Sequence, residues 1–323
     1  MRSSLHGPLV DVITSFVTAR RGLGYKCVEE ARLLRRLDRF LAVRGLASLE
    51  LPRDLVREWL AKTPHERPQT QASRIGVTRR LARFMVDRGL PAYVPPPARM
   101  GITHLDFTPR IFTRAEIAAL LAHLDRLPAT PRSPRRHIVM PELFRILYGC
   151  GLRISEALKL TVADVDLDQG VLLVREGKFR KDRLVPVAPG VAERLRRYAG
   201  ALERAWDLGQ AFFPKRDGSH YAKRAVYSVF RRVLWEAGMS HGGRGRGPRL
   251  HDLRHTFAVH RLEEWYRQGA DLGAKLPVLS AYMGHRSLVG TQRYLRLTPA
   301  LFPEVAASVE AIAGHVMPRR DLT

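Results

Sequence analysis

The sequence predicts a mainly helical protein of two domains carrying one small β-sheet hairpin, on three observations. Apolar side chains recur at three- and four-residue spacing through most of the 323 residues. A proline-rich stretch without periodicity, Pro91 to Pro109, interrupts that pattern. One pair of short β-prone runs, Val171-Leu172-Leu173-Val174 and Leu184-Val185-Pro186-Val187, stands apart from the helical spacing. The expected domains are residues 1–93 and 111–323, with 94–110 as the linker.

Before the break, four apolar stripes suggest four helices. They are Leu9, Ile13, Phe16 and Val17; then Leu33, Leu34, Leu37, Phe40 and Leu41; then Leu55, Val56, Trp59 and Leu60; then Ile75, Leu81, Phe84 and Met85. Arginines crowd the outward positions, so this is a small basic helical domain. After Pro95-Pro96-Pro97, Thr113-Arg114-Ala115-Glu116 forms a capping box opening a helix striped by Ile117, Leu120, Leu121 and Leu124. An apolar helix ends at Gly149, and another is expected to begin at Arg153 with Leu158 and Leu160 inward. The β-prone runs flank a polar, basic turn with Lys178 near its tip. Gly242-Gly243-Arg244-Gly245-Arg246-Gly247 reads as a flexible cationic loop, and a helix follows it through Tyr266. There is no internal repeat.

The bulk composition narrows the partners. Subtracting 31 acidic from 55 basic residues leaves a formal charge of +24, which favours a polyanion. A generic packing protein shares that charge but lacks this much apolar periodicity. A membrane protein fits poorly, because no stretch nears the roughly 18 apolar residues of a bilayer span. The N-terminus also lacks a charged region leading into an apolar run and cleavage site, so the chain is read as cytosolic. Two cysteines, Cys27 and Cys150, fall in different domains. They supply neither a disulfide framework nor a cysteine-rich zinc site and are expected to be buried free thiols.

A set of basic residues from separate segments carries the chemistry: Arg153 with Glu156, Lys178, the run His251-Asp252-Leu253-Arg254-His255, Gly284-His285, and Tyr294. Arginines hold phosphate oxygens by forked hydrogen bonds, histidines bond to phosphate or move protons, and a phenol can attack phosphorus. Arg153 at a helix start adds its charge to the helix end; Glu156, three residues on, could orient it, and alone the pair also reads as a surface ion pair. His251 and Arg254 share a helix face, which suits a common phosphate or, read blandly, a solvated basic helix. The run superficially resembles the His-Glu-x-x-His zinc motif, but Asp252 replaces the needed Glu and Arg254 would sit beside the metal. Tyr294 alone would read as core or interface; cations around it would activate it as a nucleophile. Tyr282 reads as an aromatic packed beside Leu279.

In this order, Gly-Leu-Arg-x-Ser-Glu, a Gly-Lys hairpin ending in Arg-x-Val-Pro, His-x-Leu-Arg-His, Gly-His and Tyr resemble the tyrosine recombinase (phage integrase) family, close to its Xer-type branch. The match runs from about Thr113 to about Pro299. The resemblance implies an α+β catalytic domain and, from size, position and basic character, a helical core-binding (SAM-like) domain that closes around DNA opposite it. It implies that Arg153 and Arg254 clamp the scissile phosphate, supported by Glu156. His251 would be proton acceptor or phosphate ligand, His285 a hydrogen-bond donor, and Lys178 the acid for the departing 5′ oxygen. Phe179 replaces the second glycine of the usual Gly-Lys-Gly, leaving Lys181 as an alternative acid.

Tyr294 would form a 3′-phosphotyrosyl bond that a freed 5′ hydroxyl then attacks, with no metal, nucleotide or other cofactor. The implied partner is double-stranded DNA, bound by a homotetramer on two sites, alone or with sister recombinases. The segment from Leu301 to Ile312 could dock on a neighbour or fold back on its own domain. The expected role is integration or excision of a mobile element, with chromosome-dimer resolution left open. The lack of an arm-binding domain before residue 1 suits a simple core-site recombinase. Type IB topoisomerase-like relaxation and a catalytically silent DNA-binding protein are the alternatives.

Overall fold

The computed structural model describes residues 7–98, 108–175, 182–202, 209–242, 247–285 and 287–297. The chain divides into two compact units, Met1–Thr108 and Pro109–Thr323. Lys178 and Lys181, most of the cationic loop at 243–246, the linker segment 99–107 and the tail from 298 lie outside the described residues.

In the first unit, α1 (Val10–Gly22), α2 (Val28–Val43), α3 (Arg53–Leu60) and α4 (Pro68–Val86) correspond to the four apolar stripes. Their inward residues, among them Ile13, Phe16, Leu34, Leu37, Leu41, Val56, Trp59, Leu81 and Met85, form one buried cluster. Burying such side chains is worth about 1.5–3 kcal/mol each before conformational entropy is counted. A charge lies within this small core. Arg74 donates to the Trp59 and Ala61 carbonyls at 2.6 and 2.9 Å and to Glu66 at 2.6 Å, so the buried guanidinium is neutralised and both of its terminal nitrogens are bonded. Arg35, Arg36 and Arg39 on α2 and Arg83 on α4 remain exposed.

In the second unit, α5 (Arg114–Asp125) opens with the expected capping box: Thr113 Oγ1 accepts from the Glu116 amide at 3.1 Å, and Glu116 accepts from the Thr113 amide at 2.8 Å. α6 (Arg136–Gly149) is buried on almost every face. The helix expected at Arg153 is a single turn, α7 (Ile154–Ala157), and Leu158 and Leu160 are buried beyond its end.

The hairpin forms as β2 (Val171–Val174) and β3 (Arg183–Pro186). A two-residue strand, β1 (Val165–Asp166), extends it to a three-stranded antiparallel sheet ordered β1-β2-β3. The register sets Leu172 opposite Val185 and Val174 opposite Arg183. Leu172, Val174 and Val185 are buried in the main core, so Arg183 ends a strand whose other inward positions are apolar.

α8 (Pro189–Ala201) and α9 (Lys223–Glu236) complete that core. α10 (Leu250–Arg267) then crosses the unit, anchored where the Phe112 amide donates to Thr256 Oγ1 at 3.1 Å. α11 (Leu272–Met283), a short α12 (Val289–Gln292) and a 3-10 turn (Arg293–Leu297) finish the described chain. Cys27 and Cys150 are buried free thiols. No described helix is long and apolar enough to cross a membrane.

Candidate active site

The site assembles on the C-terminal end of α11, where three consecutive backbone carbonyls each accept from a different arginine. Tyr282 O accepts from Arg183 Nε at 3.0 Å, Met283 O from an Arg254 terminal nitrogen, and Gly284 O from Arg153 at 3.2 Å. A helix has no internal donors left for its last carbonyls, and its C-terminus carries partial negative charge, so cations are stabilised there. The sequence can expose those carbonyls because Gly284 takes the left-handed conformation, φ 65°, that caps the helix. A Cβ at Gly284 would also stand 3.0 Å from the Arg183 guanidinium.

Glu156 is the counter-charge. It accepts from Arg153 at 2.5 Å and, in a fork, from both terminal nitrogens of Arg183 at 3.1 and 2.9 Å. It also accepts from the Arg153 backbone amide at 2.9 Å. Burial alone would raise its pKa, but the Arg183 hydrogen bonds, the Arg153 amide and both positive charges outweigh it and hold the carboxyl at about 2. Glu156 therefore takes the first free amide of α7. α7 is one turn, and its own glutamate caps it at the Arg153 amide.

Arg254 is only 1% exposed. It donates to Gly151 O at 2.6 Å as well as to Met283 O, and two fixed carbonyls set the plane of a group with five N–H donors. Burial and then the neighbouring Arg153 lower its pKa to about 10, so it stays charged at neutral pH. Gly151, at φ 59°, lets the chain turn against the Phe257 ring, which a Cβ would meet at 2.4 Å.

His251 lies at the start of α10, one turn before Arg254, as its spacing predicts. Desolvation, then the guanidiniums of Arg254, Arg249 and Arg153, push its pKa down to about 4. His285 is oriented by Thr291, whose Oγ1 lies 2.8 Å from its Nδ1.

Tyr294, 3% exposed, packs with Phe257, Leu279 and Met283, and its ring stacks near His285 with centroids 6.1 Å apart. Its hydroxyl lies 3.1 Å from Nδ1 of His255. Tyr282 stacks on Phe257 and donates to Pro186 O at 3.0 Å; burial and then the Cys150 thiol push its pKa upward, which suits a packing residue.

The structure thus brings Arg153, Glu156, Arg254, His251, His285 and Tyr294 into one region, while Lys178 lies outside the described residues. Sequence reasoning assigned no role to Arg183, the second partner of Glu156, or to His255. An arginine at an inward strand position opposite Val174 was the available signal for the first. For the second it was a histidine one place after the buried arginine.

Residues 110–300 match the family model described as the phage integrase family. The chain is 31% identical to integrase/recombinase y4rB of Sinorhizobium fredii, over 92% of this chain and 96% of that protein. It is 29% identical to tyrosine recombinase XerD of Pseudomonas aeruginosa, over 94% and 98% of the two chains. Among solved structures, it resembles the XerH recombinase bound to its difH substrate after cleavage, with a TM-score of 0.62 at 18% identity, over 95% of this chain and 90% of that one. It also resembles the Tn1549 transposon integrase in complex with transposon right end DNA, with a TM-score of 0.60 at 19% identity, over 94% and 99%.

Proposed function

Because the chain belongs to the phage integrase (tyrosine recombinase) family, we propose that it cuts and rejoins DNA by transesterification, with Tyr294 as nucleophile. The observation that carries this reading is the gathering of Arg153 and Arg254 on the carbonyls of one helix end, in the unit that brings Tyr294 and His285 to the same region. Guanidiniums held in place before substrate arrives need no reorganisation when charge develops on the non-bridging oxygens, and this is how arginine replaces a metal ion.

Arg153 and Arg254 address the non-bridging oxygens, and His285 donates a further hydrogen bond. His251, kept neutral by its cationic neighbours, accepts or donates without adding charge. The phenol oxygen attacks phosphorus, forming a 3′-phosphotyrosyl bond. The departing 5′ oxygen takes its proton from Lys178. One phosphodiester linkage is exchanged for another, so a 5′ hydroxyl from a partner strand reverses the step without a cofactor.

The basic helical unit, with Arg35, Arg36, Arg39 and Arg83 exposed, adds sequence-independent phosphate contacts. The working assembly is a homotetramer on two sites, alone or with sister recombinases, and its role is integration or excision of a mobile element. Similarity to integrase/recombinase proteins and a transposon integrase supports that role.

The test is covalent trapping. A duplex nicked beside the cut site loses the short 5′-hydroxyl strand after attack, leaving protein attached to DNA. Wild type should shift to a denaturation-resistant complex and Tyr294→Phe should not; equal trapping by both would overturn the assignment.

A further inference from the structure

We propose that His255 takes the phenolic proton of Tyr294 during strand cleavage and returns it during rejoining. The inference rests on the strand-transfer reading above. The hydroxyl of Tyr294 and Nδ1 of His255 are 3.1 Å apart, with ring centroids 5.6 Å apart at 55°. That is hydrogen-bond distance between a reacting atom and a base. Tyr294 is 3% exposed, so bulk water is a poor acceptor for its proton, and the neighbouring imidazole lies within reach. The Nε2–H tautomer of an imidazole placed here presents its Nδ1 lone pair to the phenol.

The sequence points to His251 as proton acceptor. His251 stands instead on the outer side of His255, edge to face, with centroids 4.7 Å apart, and is exposed. Among the described residues, the groups near His255 include His251 and Arg254 on α10 and Tyr294 on the 3-10 turn, with His285 stacked near Tyr294. Arg254 is the cation among them, and it stabilises the negative charge that develops on the attacking oxygen and the phosphorane.

The step balances. The Tyr294 O–H bond breaks and its proton passes to His255 Nδ1, while the oxygen pair forms the bond to phosphorus. The bond from phosphorus to the 5′ oxygen breaks, and that oxygen takes a proton from Lys178. Rejoining runs the same transfers backward: the imidazolium re-protonates the phenolate as it leaves.

The probe is a duplex selected from random-sequence DNA by covalent capture on the full wild-type chain. His255→Asn places an amide oxygen near the Nδ1 position, keeping the hydrogen bond but holding no proton. It should slow covalent capture about 100-fold, with the melting temperature and non-covalent DNA retention unchanged. Its rate should also lose the fall that wild type shows as pH drops from about 8 to about 5, where a neutral histidine becomes protonated.

A 5′-bridging phosphorothiolate, whose sulfur leaves without an acid, should rescue Lys178→Ala and not His255→Asn. Capture by His255→Asn within a few-fold of wild type, or its rescue by the phosphorothiolate, would overturn the inference alone. If the substitution lowers the melting temperature, a wild-type rate flat across that pH range would overturn it. No capture by wild type would overturn the strand-transfer reading, and the inference with it.

Discussion

Replacing Glu156 by glutamine isolates what one buried carboxylate contributes. The side chain is 7% exposed and lies between Arg153 and Arg183, with Arg254 close by. Holding its carboxyl at about 2 instead of the ordinary 4.5 is worth about 3 kcal/mol at neutral pH. Glutamine keeps the shape and one acceptor but leaves the guanidiniums without a counter-charge, so the second unit should lose about that much stability. The pH dependence follows from the direction of the shift. The folded value lies below the unfolded one, so as pH falls the unfolded chain takes up the proton first. The contribution is complete above the ordinary 4.5 and is lost as pH falls through about 2. The gap between wild type and Glu156→Gln should therefore hold from about pH 7 to about pH 5 and shrink to about 1 kcal/mol near pH 3. Hydrogen exchange of α10 and α11 peptides in graded urea reads this unit separately from the first. A gap under about 1 kcal/mol at neutral pH, or one that stays constant through acid, would refute the reasoning.

Further substitutions and a titration test the proposed site. Gly151→Ala forces a side chain into φ 59° and against the Phe257 ring at 2.4 Å; strain and overpacking together should cost about 2–4 kcal/mol, and a thermal scan showing an unchanged midpoint would contradict it. His251 should remain neutral until pH falls to about 4, so its imidazole proton resonance should be flat through the ordinary 6.5, where a midpoint would count against the cationic environment. Since its folded value is lowered, the unfolded chain protonates first and stability declines as pH drops from 6.5 towards about 4. Lys178→Ala should abolish trapping while Lys181→Ala keeps it; the opposite pattern would move the acid to Lys181.

The parts of this molecule legible in the sequence are those set by local rules. The stripe of Leu34, Leu37 and Leu41 had to face a core, and Thr113 with Glu116 satisfies the amides of a helix start whatever surrounds it. Val171–Val174 stood out because β-branched residues flanked a polar turn. β1 was invisible, since Val165–Asp166 is two residues long and exists as a strand through its pairing with Leu172 and Val171. The turn at α7 was overestimated because Leu158 and Leu160 are apolar for the core of the unit and not for a helix face. Within the site, residue types named the chemistry, but not which atoms hold the arginines. Arg183 reaches Glu156 across 27 positions and Arg254 reaches Gly151 across 103, distances over which periodicity carries no information.

The row of carbonyls at Tyr282, Met283 and Gly284 has a consequence for how this protein tolerates change. The atoms that seat three arginines belong to the main chain, so side-chain substitution at Tyr282 or Met283 leaves the acceptors themselves in place. Insertion or deletion of one residue there would instead rotate the carbonyls by about 100° about the helix axis and unseat all three at once. The region should accept divergent residues and reject length changes. In libraries made to redirect DNA choice, this helix end should be varied by substitution, with its residue count and Gly284 kept fixed.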